Sequence, residues 1–284
     1  MSSSDETSTS TGLQSSDPQE EDASSKWLTK RAFAAARQAH DKSNAMINIK
    51  LGLVLTDKAL YAEAVSLFVP IYETLERILD EDQKDHPQLK ALRPLMKDLR
   101  RAARFQQDVE YMLGNDAVAI QELSTRRRPP KSEGKPQYSP VELQDYVDHL
   151  ERLSKEKPVL LIAYVQLMYM AVFAGGSMIQ RMVKRAFGLP SDKGVQGFST
   201  EEGVDPKRVK EELRRILNFD MVLTEREQEI VIEEAPKVLE RNNRVVATVQ
   251  GSKAFATSQR NCLLFLTAVL VALGAVVIAI VQIY

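Results

Sequence analysis

The sequence predicts an all-α fold, a multi-helix bundle followed by a C-terminal transmembrane helix. Two observations predict the bundle: from residue 26 onward long amphipathic runs follow one another with few glycines, and nowhere does a period-two alternation persist. A third predicts the membrane helix. Residues 262–284 read CLLFLTAVLVALGAVVIAIVQIY without one charge, and a bilayer core requires about 20 apolar residues in helix because lipid offers the backbone no other partners.

The elements follow in order. Residues 1–25 carry six acids, no base and almost no large apolar group, so burial cannot offset the entropy of ordering them, and they read as a disordered acidic leader without a signal peptide. A helical domain is expected over residues 26–250. In its first helix Phe33, Ala36, His40 and Ile47 recur at helical spacing, which predicts one stripe of small and apolar neighbours around the imidazole. Thr56 and Asp57 predict a helix start, with the helix running to about Leu79, and another helix is expected from Gln88 to Leu113. Residues 125–140, TRRRPPKSEGKPQYSP, break the pattern with prolines and read as a loop. Its arginines are expected to be solvated, with contact to phosphate or anionic lipid as the alternative.

Ser139, Pro140 and Glu142 predict a capping-box start for a helix to Leu153, and Thr224 with Glu227 repeats the signature for a helix reaching about Val249 with a kink at Pro236. Between them, residues 157–181 are nearly as apolar as the tail. A second membrane span is the alternative there, but Gln166, Ser177 and the pair Gly175-Gly176 interrupt the run. A core helix with a glycine break, where something approaches the backbone closely, is the expectation. Residues 251–261 form a linker, and residues 262–284 a tail anchor that leaves the domain cytosolic with Tyr284 across the bilayer.

Composition narrows the function classes. About 240 residues outside the leader and the tail suffice for one large domain, and the net charge of −1 points to no nucleic-acid partner. Cys262 is the single cysteine, which excludes an internal disulfide framework. At the edge of the tail it reads as an apolar filler, with palmitoylation as the alternative.

Four segments in order carry a family resemblance: AFAAARQAHDKSNAMINIKLG, RAARFQQDVEYMLG, FAGGSMIQRMVKRAFGLP, and LTEREQEIVIEEAPKVLERN. Over residues 27–249 they resemble the animal-type heme oxygenases, which also carry C-terminal tail anchors. The resemblance implies a heme oxygenase-like bundle with heme as both cofactor and substrate. It places His40 as the ligand to heme iron, His86 and His149 outside any ligand position and at the surface, and Arg37, Tyr169, Arg215 and Asn242 around the cofactor. The glycine-rich kink at Gly175 and Gly176 is implied to lie over the heme face.

Departures from the family pattern are equally specific. Where the family has an aspartate that holds proton-donating water, this chain has Val172, which cannot hydrogen-bond. Ala171 replaces a glycine beside it. Phe33 and Glu211 stand at lysine positions for the heme propionates and Met168 at an arginine position, whereas Arg215 keeps the pattern and Arg37, Lys210 and Arg214 lie near. Two readings follow. In one the chain cleaves heme to biliverdin, carbon monoxide and iron, with electrons from an NADPH-dependent reductase such as cytochrome P450 reductase. In the other it is a non-catalytic heme sensor or carrier, or a membrane-tethered interaction protein. Both place it on the cytosolic face of the endoplasmic reticulum membrane.

Overall fold

The computed structural model of the protein describes residues 26–81, 87–114, 116–127, 138–201 and 203–249. The expected leader, linker and tail anchor lie outside the described residues, as do His86 and the center of the basic loop. Among the described residues every regular element is helical. The long helices are α1 (Leu28–Val54), α2 (Lys58–Ser66), α3 (Val69–Glu81), α4 (Ala102–Leu113), α5 (Ala117–Arg127), α6 (Val141–Glu156), α7 (Leu161–Phe187), α8 (Pro206–Arg215) and α9 (Glu225–Ala247).

Helices α1 and α9 lie side by side and parallel along their whole length. Leu28, Ala32, Ala36, Ala39 and Ser43 form the buried stripe of α1, and the small side chains let the two backbones come close. Polar pairs fix the register: Arg31 Nη1 donates to Gln228 Oε1 at 3.3 Å, and Ser43 Oγ to Asn243 Oδ1 at 2.8 Å. Lys50 Nζ reaches the carbonyl of Val249 at 2.8 Å, closing the end of α9. The expected stripe of Phe33, Ala36, His40 and Ile47 is unevenly buried over its described members, although the Phe33 and His40 rings do meet. Ala36 is fully buried, Phe33 is 48% exposed, and the Ile47 side chain is outside the description. Packing on α9 selects the alanines and turns Phe33 and His40 outward.

Several boundaries differ from the sequence expectation for local reasons. The helix expected over 56–79 is capped by Asp57, whose carboxylate accepts from Ala59 N at 2.7 Å and Leu60 N at 3.0 Å. It splits after Ser66, because Pro70 has no N–H to donate to that residue's carbonyl. The helix expected over 88–113 is three short turns followed by α4. Arg100 is extended, with ψ 131°, and the N–H groups of Arg101 and Ala102 are taken by the buried Glu76 carboxylate at 2.6 and 3.1 Å. A side chain of α3 thus caps α4, and nothing local to residues 88–113 announces it. Helix α5 continues to Arg127, so the basic loop starts later than expected.

Ser139 is not a cap. Pro140 is extended, with ψ 173°, and occupies the N-cap position of α6 without a side-chain bond, while Gln144 Oε1 accepts from Tyr138 N instead. The Thr224–Glu227 capping box is present in full, and Pro236 lies inside α9.

Helix α7 runs through the center. Leu161 to Tyr169 are buried without interruption, which is why this stretch is hydrophobic all round. The span Pro158–Phe187 is long and apolar enough to cross a membrane, yet 61% of its most apolar window is buried within the domain, against α9, α8 and α6. It is a core helix. It is also unbroken through Gly175 and Gly176, contrary to the expected glycine break. Gly188, with φ +63°, closes it in the left-handed conformation glycine adopts most readily.

Candidate functional site

Helix α1 touches α7, so the histidine helix and the glycine helix are neighbours. On α1 the His40 side chain is 38% exposed. Its ring meets Phe33, one face to one edge, with centroids 5.2 Å apart. Asn44, one turn on, places Nδ2 at 3.3 Å from His40 Nδ1, and Asp41 Oδ1 lies at 3.7 Å. Arg37 is exposed beside them. Among the described residues no group of three or more His, Cys, Asp or Glu is arranged to hold a metal ion. His40 is a lone nitrogen donor, which suits an iron whose other ligands come from a macrocycle rather than from the protein.

On α7 the surface opens after Met170. Ala171 and Ala174 are exposed, Gly175 is half-buried, and Met178 and Met182 continue the same apolar strip. A Cβ added at Gly175 would meet nothing within 4 Å. Gly176 is different: a Cβ there would lie 2.6 Å from the Phe198 carbonyl oxygen. The close approach expected at the glycine pair is thus, at Gly176, made by the protein itself, and only Gly175 leaves open space.

The loop carrying Phe198 is clamped by α4. Asp108 accepts from Gln196 N and Gly197 N, each at 2.7 Å. Arg104 donates to the carbonyls of Gln196 and Thr200, each at 2.9 Å. Burial pushes the Asp108 carboxyl up to about 6, against the pull of these hydrogen bonds and of Arg104.

Val172 is buried, and Met168 stands one turn before it. Around Met168 the fold gathers polar groups from three other helices. Tyr146 donates to Asn242 Oδ1 at 2.9 Å, Asn242 Nδ2 lies 3.2 Å from Met168 Sδ, and the Tyr72 hydroxyl donates to the Met168 carbonyl at 3.2 Å. Tyr169 is fully buried against the Tyr72 ring, with centroids 5.4 Å apart. At 100° per residue Tyr169 points to the side of α7 opposite Ala171, so the two are not brought together, and its hydroxyl has no partner among the described residues. Tyr72 and Tyr146 escaped the sequence reading because each sits far along the chain from what it touches. Asn44 could have been found, since it follows His40 at helical spacing.

The basic residues are partly committed. Arg215 is gripped by Glu212 at 2.8 and 3.0 Å and by Asp220 at 2.8 Å. Glu211 is exposed, and Lys210 and Arg214 are half-buried on the same helix, α8, which packs on α7. His149, expected at the surface, is buried: it lies 3.4 Å from Glu234 Oε1 and 2.9 Å from Arg152 Nη2. Burial alone would raise the Glu234 carboxyl, but His149, Lys237 and Tyr164 hold it down at about 2. The helical period placed His149 on the inner face of α6, and its partner comes from α9.

With this geometry in hand, comparison with known proteins is specific. Residues 27–248 match the family model described as heme oxygenase. The chain is similar to heme oxygenase 2 of Rattus norvegicus, 26% identical over 227 residues, covering 78% of this chain and 65% of that protein. The chain thus spans just under two thirds of the rat protein. It is similar also to the heme-binding protein HMX1 of Saccharomyces cerevisiae, 21% identical, covering 78% of this chain and 75% of that one. Among solved structures, heme oxygenase 2 from Chlamydomonas reinhardtii without heme superposes with a TM-score of 0.68 at 27% identity, covering 79% of this chain and 98% of that one. Heme oxygenase-1 from Synechocystis in complex with heme, at 21% identity and a TM-score of 0.67, shares the fold.

Proposed function

The chain belongs to the heme oxygenase family, and from that premise we propose that it binds heme between α1 and α7 and turns it over slowly. The observation that carries the reading is the pairing of an outward-facing His40 on α1 with the small, open strip of Ala171, Ala174 and Gly175 on the neighbouring α7. A flat apolar ring requires one wall that supplies a nitrogen and another that comes close without side chains in the way, and these residues fit it. His40 Nε2 would bind the iron. Arg37, Lys210 and Arg214 would meet the propionates, with Arg215 able to contribute only by exchanging a carboxylate it already holds.

Bound heme supplies both the oxygen-activating iron and the carbon skeleton to be opened, to biliverdin, carbon monoxide and iron. The chain's part is to position the ring, exclude water and deliver protons. Here Val172 is the weak point. It offers no polar atom on the face where proton delivery is needed, and general acid–base help of that kind contributes typically about 100- to 10,000-fold. The nearest polar pair, Tyr146 and Asn242, is turned onto the Met168 sulfur. A heme-binding protein with slow turnover, drawing electrons from an NADPH-dependent reductase such as cytochrome P450 reductase, follows. Residues 262–284 would hold it on the cytosolic face of the endoplasmic reticulum membrane.

Hemin titration of the purified protein tests this directly. Saturable binding with a histidine-ligated spectrum is expected, with His40→Ala abolishing or strongly shifting it and His149→Ala leaving the ligand signature in place. Under reductase and oxygen, little biliverdin is expected. Identical spectra for the wild type and His40→Ala sink the ligand assignment, and rapid biliverdin formation sinks the slow-turnover reading.

A further inference from the structure

Where α1 begins against the chain that follows α8, the molecule carries an aromatic corner that heme binding does not use. Ile216–Asp220 form a single π-helical turn. Within it Asn218 accepts from Thr29 N at 3.0 Å and donates to Thr29 Oγ1 at 3.1 Å. The next residue, Phe219, is 59% exposed and stands edge-on to Trp27, with centroids 5.4 Å apart. Val222 is 87% exposed. Trp27 also walls a recess of about 120 Å³, lined further by Leu28, Leu217, Met221 and Leu223. Turns of this wide kind recur at functional sites, and exposed apolar groups rimmed by charge mark contact surfaces.

The rim is basic. Lys26 lines the recess, and Lys30 Nζ stands 5.8 Å from the center of the Trp27 ring. The first turn of α1 holds no acid, and its N-cap makes no side-chain bond, so the helix terminus adds partial positive charge. Acids close by are already engaged, Asp220 by Arg215 and Glu227 by its capping box. An occupant that suits this corner presents one apolar side chain with carboxylates beside it.

We propose that the occupant is the chain's own acidic leader, with Leu13 in the recess and Asp17, Glu20, Glu21 and Asp22 along the basic rim. Leu13 is the one large apolar side chain between Met1 and Lys26, and four of the leader's six acids follow it. The leader joins the domain at this corner. At about 3.3 Å per residue, four residues let Asp22 reach about 13 Å from Lys26, and thirteen let Leu13 reach about 43 Å, ample for both. Attachment also holds the segment at an effective concentration of about the millimolar range, so a modest intrinsic affinity suffices. Lipid is the poorer occupant. Helices α1 and α9 are parallel, and the corner lies at the start of α9, about 34 Å along this 23-residue helix from the end that leads to the apolar tail.

Trp27 is the single tryptophan, so its fluorescence reads the corner alone. Full-length protein in phosphatidylcholine vesicles is compared with Leu13→Ser and with a variant combining Asp17→Asn, Glu20→Gln, Glu21→Gln and Asp22→Asn. Both variants should emit at longer wavelength and be quenched more strongly by acrylamide. Salt at about 1 M, where the screening length is about 3 Å, should move the wild type toward the acid-depleted variant. A free peptide of residues 1–25 should return the Leu13→Ser protein to the wild-type emission, half-saturating below about 1 mM. The same peptide should have no effect when Val222→Asp is added. Emission and quenching unmoved in both leader variants overturn the proposal. So does a Trp27 signal that answers to anionic lipid and not to the leader, which gives the corner to the membrane, or one that answers only to protein density, which gives it to a second copy.

Discussion

At the scale of single residues, the proposed slow turnover rests on one side chain of α7, Val172. Val172 and Met168 share a face of α7 at helical spacing, and the polar groups nearby belong to Tyr146 and Asn242. Restoring a carboxylate with Val172→Asp, together with Ala171→Gly for room, should raise biliverdin yield per reductase turnover at least about tenfold, the low end of what a positioned proton donor contributes; an unchanged yield would place the defect elsewhere. Asp108 makes a prediction about stability. Its carboxyl is held up at about 6 by burial, above its ordinary 3.8, so the folded state binds the proton more tightly than the unfolded one. The stabilisation is fully present below about pH 4 and is lost as pH rises through 6, amounting to roughly 3 kcal/mol. Denaturant midpoints should carry this component between pH 4 and 6, and Asp108→Asn should flatten it. The sequence shows Val172 and His40 plainly, because motif order locates them. It does not show the surroundings of Asp108, whose partners Gln196 and Gly197 lie 88 and 89 residues away, nor the burial of His149, whose partner Glu234 comes from another helix.

At the scale of elements, the glycine pair of α7 divides into two roles that the sequence presents as one. Gly176 is required by packing, because a methyl group there would press on the Phe198 carbonyl at 2.6 Å, and that carbonyl belongs to a loop fixed by Asp108 and Arg104. Gly176→Ala should therefore destabilise the protein by about 1–3 kcal/mol, the range for overpacking. Gly175 has no such neighbour, so Gly175→Ala should leave the heme-free fold as stable or more so, by up to about 1 kcal/mol from helix propensity. Hemin affinity should fall all the same, since the methyl group stands on the open strip. Thermal denaturation and hemin titration of the two variants check both halves, and equal destabilisation by both would remove the distinction. Helix identity was legible from period and capping: the Thr224–Glu227 box appears as read, and Asp57 opens α2. Boundaries controlled from a distance were not. Glu76 starts α4 from 25 residues upstream, and the α9 interface, not the apolar stripe alone, decides which face of α1 is buried.

At the scale of the whole molecule, two apolar segments of similar length compete for the membrane, and each is long and apolar enough to span it. What separates them is whether protein or lipid supplies the surroundings. Helix α7 is enclosed by α6, α8 and α9 over its first half. Its buried Gln166 donates to the Thr29 carbonyl of α1 at 2.8 Å, and its Tyr164 donates to Glu234 of α9 at 2.9 Å. Pulling α7 into a bilayer would strip those partners and expose the inner faces of three amphipathic helices, each unsatisfied buried group costing about 1–3 kcal/mol. Residues 262–284 bear no polar side chain that needs such partners beyond Thr267, Gln282 and the terminal Tyr284, and they are long enough to span. Attachment should therefore reside in the tail alone. Deleting residues 262–284 should yield a helical protein that stays in the supernatant after alkaline extraction of membranes, with hemin affinity equal to that of the full chain. Appending the same residues to an unrelated soluble protein should make that protein membrane-integral. If the truncated chain still resists alkaline extraction, α7 enters the bilayer, and the enclosure that sets α1 beside α7 does not persist at the membrane.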